Sequence, residues 1–194
     1  MVRETVRCLQ SVGTVPPVTA SEPPGRTLAD WAILCMVAEG PTHGWAVARV
    51  LAADGPLGSV WTVPRAVVYR SLATLAASGT VEPTGEERGS RGPNRTIVRV
   101  TARGRAAARR WLDAPVVHVR DVRSEFLLKL ALLERSGRSR EALVARQLAA
   151  FAPLFASVRS AEPSEGFDAV HERWRREQVA AVERFLRSLS PGGP

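Results

Sequence analysis

Eight arginines and no acid fall between residues 88 and 110: Arg88, Arg91, Arg95, Arg99, Arg103, Arg105, Arg109 and Arg110. A guanidinium is planar, permanently charged and forked, so it meets phosphate oxygens and guanine edges better than an ammonium does. The chain uses it almost exclusively, since Lys129 is the one lysine among 27 basic residues. That preference also follows from genomic base composition, and solvated arginine surfaces are common. The position of the charge says more than its amount: a block without acids, in a chain of net charge +8, is the electrostatic footprint expected on a polyanion.

Other chemistry is harder to assemble. His43, His118 and His171 lie far apart, and neither Cys8 nor Cys35 stands at metal-ligand spacing from any of them, so neither a metal site nor a disulfide framework is expected. Ser124-Glu125 has no nucleophile-elbow glycines around it and no histidine to serve as its base. Gly89-Ser90-Arg91-Gly92 does not open a helix, so its glycines read as turn residues and not as a phosphate loop. We expect no enzyme activity, no cofactor and no metal. No run approaches the roughly 18 to 20 consecutive apolar residues of a membrane span, and the start lacks a basic-then-apolar secretion signal, which leads us to expect a cytoplasmic protein with no membrane partner.

The elements that would position the arginines follow from periodicity and punctuation. Residues 1–25, with Pro16, Pro17, Pro23 and Pro24, read as a flexible leader. Thr27 followed by Asp30 is a capping-box-like start for a buried helix over Leu28 to Ala38, stopped by Gly40-Pro41. Gly44 to Ala53 reads as a second helix, with Trp45, Val47, Val50 and Leu51 offered to the core, and His43 as a turn residue before it. In the third helix, Val63 to Ser78, the apolar positions Val68, Leu72 and Leu75 bury one stripe and leave Arg65, Val67 and Arg70 nearer the other side; Gly79 caps it. Thr80 to Glu87 and Arg95 to Val100 are β-prone runs joined by a glycine-rich tip. Thr101 then caps a fourth helix to Leu112, and Pro115 marks a boundary.

Three helices followed by a basic hairpin make a winged helix-turn-helix, here expected over 26–114. A helical domain is expected over 115–190, with helices at Asp121 to Arg135, Ser139 to about Arg159 and Ser164 to Leu189. In the second of these, Val144, Leu148, Phe151, Phe155 and Val158 keep the four-three spacing of a helix-helix seam, with Pro153 expected to kink or split it. The third offers Phe167, Val170, Trp174, Ala181, Phe185 and Leu189. So few elements follow residue 115 that packing against a second copy is the expected outcome. The fold class is therefore mostly α with a small β-hairpin wing.

From Leu28 to Leu189 the sequence resembles the PadR family of transcriptional regulators. The resemblance is carried by Ile33-Leu34 leading to Ala38-Glu39-Gly40-Pro41-Thr42-His43-Gly44-Trp45, by Val68-Tyr69-Arg70-Ser71-Leu72-Ala73-Thr74-Leu75 with Gly79, by Arg99-Val100-Thr101-Ala102-Arg103-Gly104-Arg105, and by Phe126-Leu127-Leu128-Lys129-Leu130. It implies a homodimer whose winged helix binds double-stranded DNA at a palindromic operator, acts as a repressor, and is released by a small effector. Read onto such a fold, Arg65 in the first turn of the third helix is the candidate for a base edge. Tyr69, carried over from the family, is a phosphate or packing residue, and Arg70 is a phosphate contact. Arg88, Arg91, Asn94 and Arg95 crowd the wing tip for backbone or minor-groove contact. Pro64, Ala66, Val67 and Val98 depart from the family pattern, so no relative's operator transfers; Val67 can meet a thymine methyl. Phe151, Phe155, His171 and Trp174 on the pairing helices could wall a pocket for a small hydrophobic or aromatic effector, or simply form interface core. The competing reading is a protein-interaction module that keeps the winged helix without specific DNA binding.

Overall fold

The computed structural model describes residues 25–88, 94–160 and 165–190. The expected leader, apart from Gly25, and the wing-tip residue Arg91 lie outside them. Helix α1 (Leu28–Glu39) begins in a reciprocal cap: Thr27 N donates to Asp30 Oδ2 at 2.8 Å and Asp30 N to Thr27 Oγ1 at 3.2 Å. Two of the helix's orphan donors are thereby satisfied, and Asp30 itself is buried. Every residue from Ala29 to Val37 is buried, because α1 is the central rod on which the other elements pack.

A short strand β1 (Thr42–His43) and helix α2 (Gly44–Val50) follow. Helix α3 (Arg65–Ala77) ends where Gly79, at φ 65°, lets the chain turn left-handed and Thr80 N reach back to Leu75 O at 3.0 Å. Strands β2 (Val81–Glu87) and β3 (Arg95–Val100) form the wing, and the antiparallel sheet has the order β1-β3-β2. Pro83, which cannot donate to a ladder, sits on the edge strand β2 next to a register shift between Pro83 and Gly85. Thr101 caps helix α4 (Ala102–Asp113) through Gly104 N at 3.1 Å. A Cβ at Gly104 would collide with the carbonyl oxygen of Thr80, so only glycine lets α4 lie this close to the end of α3.

The wing, the helix-turn-helix and the fourth helix stand where the sequence places them, and together they are a winged helix. Three local expectations are corrected. His43 is not in a simple turn: it pairs with Ile97 across β3, and its Nδ1 accepts from Ala46 N at 3.1 Å as the N-cap of α2. Helix α2 stops at Val50 and not at Ala53, and its buried face is Gly44, Val47 and Ala48. Trp45 is not core: the helix turns it outward with Arg49, one turn on, and it is 37% exposed.

The C-terminal part contains a 3-10 turn (Val119–Arg123) and helices α5 (Glu125–Arg135), α6 (Glu141–Arg159) and α7 (Gly166–Ser188). The helix expected from Asp121 is thus broken at Ser124. Pro153 does not split α6: Pro153 and Ala149, whose carbonyl would have accepted its missing N–H, both lie on the exposed side where water can serve that oxygen. By length and composition alone α6 could cross a membrane, because its exposed side is largely alanine; its other side, Leu143, Val144, Gln147, Phe151, Phe155 and Val158, is buried against this protein's own helices.

The segment at the expected boundary is held fast. Lys129 Nζ donates to Ala114 O at 2.9 Å, and Gln147 takes both backbone groups of Val116, accepting from its N at 2.7 Å and donating to its O at 3.0 Å. Arg146 donates to Asp113 O at 2.9 Å. Side chains from α5 and α6 therefore do for residues 113–116 what a ladder does for a strand.

Candidate nucleic-acid interface

Helix α3 presents Arg65 and Arg70 to solvent, with Val67 half-buried between them and Val68, Ser71 and Leu75 inward. Arg65 lies over the ring of Tyr69 at 5.6 Å, and Tyr69 is 45% exposed. The ring rests against Gly44 at the start of α2: a Cβ there would come within 2.8 Å of Tyr69 Cε1 and 3.1 Å of Leu72 Cδ1. Tyr69 is therefore a packing residue that keeps an exposed edge. The next residue, Trp45, carries two guanidiniums, Arg49 at 5.3 Å and Arg95 at 4.8 Å from its ring centroid. One continuous surface thus runs from the first turn of α3 through the start of α2 to the tip end of the wing strands.

Among the described residues, the arginines of the 88–110 block do not all share that surface. Arg99 is paired with Glu82 at 2.7 Å, and Arg105 donates to Ala38 O at 3.3 Å, at the carboxyl end of α1 where a cation meets the unsatisfied carbonyls. Arg103, Arg109 and Arg110 are exposed on α4. Arg88 and Arg95 stand at the wing, where Asn94 Nδ2 donates to Glu86 Oε2 at 3.1 Å. Asn94 is accordingly a residue that ties the two wing strands together as well as an exposed polar group. The sequence reading missed Trp45 and Arg49; the signal was their spacing of four, opposite Val47, Ala48 and Leu51.

The four residues expected to wall an effector pocket divide into two pairs. Phe151 and Phe155 are buried and meet edge to face at 5.9 Å, whereas His171 and Trp174 are exposed on α7. Within one chain they do not line a common cavity. Among the described residues no group of three or more potential metal ligands comes together. Burial pushes the thiol of Cys35 far up, which keeps it protonated and inert.

An outward-facing third helix with arginines at its start, flanked by a β-hairpin, defines a winged helix-turn-helix of the DNA-binding kind. Residues 33–110 match the model of the Transcriptional regulator PadR-like family. Solved structures similar to the chain include Bacillus subtilis PadR in complex with operator DNA, at 19% identity over 85% of this chain and 97% of that one, with a TM-score of 0.45. Bacillus subtilis PadR in complex with p-coumaric acid is 19% identical over 84% and 96%, with a TM-score of 0.40. The protein smu.1604c from Streptococcus mutans UA159 is 16% identical over 81% and 95%, with a TM-score of 0.39. Among curated proteins none matches.

Proposed function

We propose that the chain is a sequence-specific transcriptional repressor that binds a palindromic operator as a homodimer and is released by a small hydrophobic or aromatic effector. The observation that carries the reading is the exposed basic face of α3 beside the wing, in a winged helix that matches a family of regulators. Arg65 is the base-reading residue, with Val67 able to meet a thymine methyl. Tyr69, Arg70, Arg88, Arg91, Asn94 and Arg95 hold the backbone and set the register. Residues 26–114 are the DNA-binding domain, and 115–190 pair with a second copy.

The pairing is supported by α7. Phe167, Val170 and Trp174 follow one another at spacings of three and four and are 80%, 62% and 62% exposed. Three large apolar side chains on one helix stripe favour a covering partner, and a dimer that sets two α3 helices about one DNA turn apart needs such an interface. The alanine-rich outer side of α6 offers close approach to the same partner. Trp174 and His171 then stand at the interface, where an aromatic effector would be received between the copies.

The test is a fluorescence-anisotropy titration with the duplex upstream of the chain's own gene and a scrambled duplex of equal length, at two salt concentrations. A specific regulator prefers the upstream duplex by a hundredfold or more, since specific sites win by roughly 10³ or more. Equal binding that disappears together at the higher salt would count against it and favour an interaction module. Sedimentation of the parent and of Trp174→Ser reads the dimer: the parent should sediment as two chains and the variant as one.

A further inference from the structure

We propose that Trp45, Arg49 and Arg95 form a built site for one backbone phosphate of DNA, joining the helix-turn-helix to the wing. The inference rests on the DNA-binding reading above and adds a contact that α3 does not supply.

Both guanidiniums lie on one indole, at 5.3 and 4.8 Å from its centroid, although Arg49 comes from α2 and Arg95 from β3. A guanidinium held over a ring by its charge still has N–H donors to offer an oxyanion. Neither arginine makes an ion pair or hydrogen bond with the side chains of the other described residues. The nearest candidate is Glu87, directly opposite Arg95 in the ladder, but its carboxylate is turned to His43 Nε2 at 3.5 Å. The two centroid distances keep the guanidinium carbons within about 10 Å of each other, so two like charges are held together on one ring. A phosphate placed there turns that repulsion into two charge-assisted contacts.

Location selects the source of the phosphate. Trp45 follows Gly44, on which Tyr69 of α3 rests, so the site adjoins the surface that faces the groove. A duplex engaged by Arg65 passes its backbone beside this neighbour. The indole therefore positions, and the arginines bind: Arg95, at the tip end of β3, ties the wing to Trp45 of α2.

The experiment repeats the anisotropy titration on the full chain with Arg49→Ala, Arg49→Lys and Trp45→Leu, over a series of salt concentrations and with both duplexes. Arg49→Ala should bind both about tenfold more weakly, and the slope of log affinity against log salt should flatten by about one. Arg49→Lys should keep the slope. Trp45→Leu should also keep it while losing affinity several-fold, because the charges remain and their support is gone. Thermal midpoints close to the parent's certify the fold. Parent-like affinity and slope in Arg49→Ala would overturn the site while leaving the DNA-binding reading intact. If the parent bound neither duplex, that reading would fail and the site with it. Inorganic phosphate at constant ionic strength should not displace the duplex; if it did so from the parent but not from Arg49→Ala, the site would be one for free anions.

Discussion

Trp31 of α1 and Trp111 of α4 stack with centroids 5.6 Å apart and planes 9° from parallel, and Lys129 Nζ lies 4.7 Å from the centre of the Trp111 ring. The chain's one lysine is thereby buried to 1% exposure, paired with Glu125 at 2.7 Å and bonded to Ala114 O. It joins the last helix of the winged helix, the connecting segment and the first long helix of the C-terminal part. A buried cation needs all of these partners, because each lost partner leaves its charge uncompensated in a poor solvent. Lys129→Met keeps the volume but leaves Ala114 O without its donor and Glu125 without its cation. We expect a loss of about 2 kcal/mol in urea denaturation. In the folded parent, an acylating reagent should leave Lys129 unmodified, as peptide mapping would read.

Gln147 is fully buried, and its amide serves both backbone groups of Val116. Gln147→Leu should cost about 2 to 4 kcal/mol, since two backbone groups are left unsatisfied where water cannot reach them. The urea midpoint should fall with no change of slope. A loss below about 0.5 kcal/mol would mean that the segment moves out to solvent at little cost.

Arg65 and Arg70 should separate reading from holding. Arg65→Ala should shrink the preference for the specific duplex, by about 1 to 3 kcal/mol if the contact is bidentate to a base. Arg70→Ala should weaken specific and scrambled duplexes alike. Gly44→Ala acts behind both: its methyl must push the Tyr69 ring away, so DNA affinity should drop with a stability loss of about 1 kcal/mol. Equal discrimination in the parent and Arg65→Ala would remove that residue from base reading.

Glu183 on α7 holds two cations, Arg187 at 2.7 Å and Arg159 of α6 at 3.0 Å. The hydrogen bond from Arg187 first, and then the charge of Arg159, hold its carboxyl below its usual range. The folded state therefore favours the carboxylate more than the unfolded state does. Its stabilisation is present above the unfolded value and is lost as the pH falls through the lower folded one. The arginines are exposed, so Glu183→Gln should cost no more than about 1 kcal/mol at neutral pH. The difference from the parent should vanish in acid, as thermal melts at several pH values would show.

The sequence by itself determined the elements whose cause is local. The Thr27 and Asp30 cap, the positive-φ turn at Gly79, the Thr101 cap and the stripe of Val68 and Leu75 are decided within a few residues, and the winged helix follows from their order. Arg65 and Arg70 fall on the outer side of α3 for the same reason, since a helix fixes which of its residues share a face. Only the tertiary structure decided where Trp45 belongs, because an aromatic residue next to a buried glycine reads as core until two arginines from separate elements occupy its ring. It also divided the arginine block between wing and α4, spent Arg105 on the end of α1, turned Glu87 from Arg95 to His43, and buried the single lysine against Trp111. Those outcomes depend on contacts between residues tens of positions apart, and charge, unlike helical or strand periodicity, carries no local signal of the partner it will find.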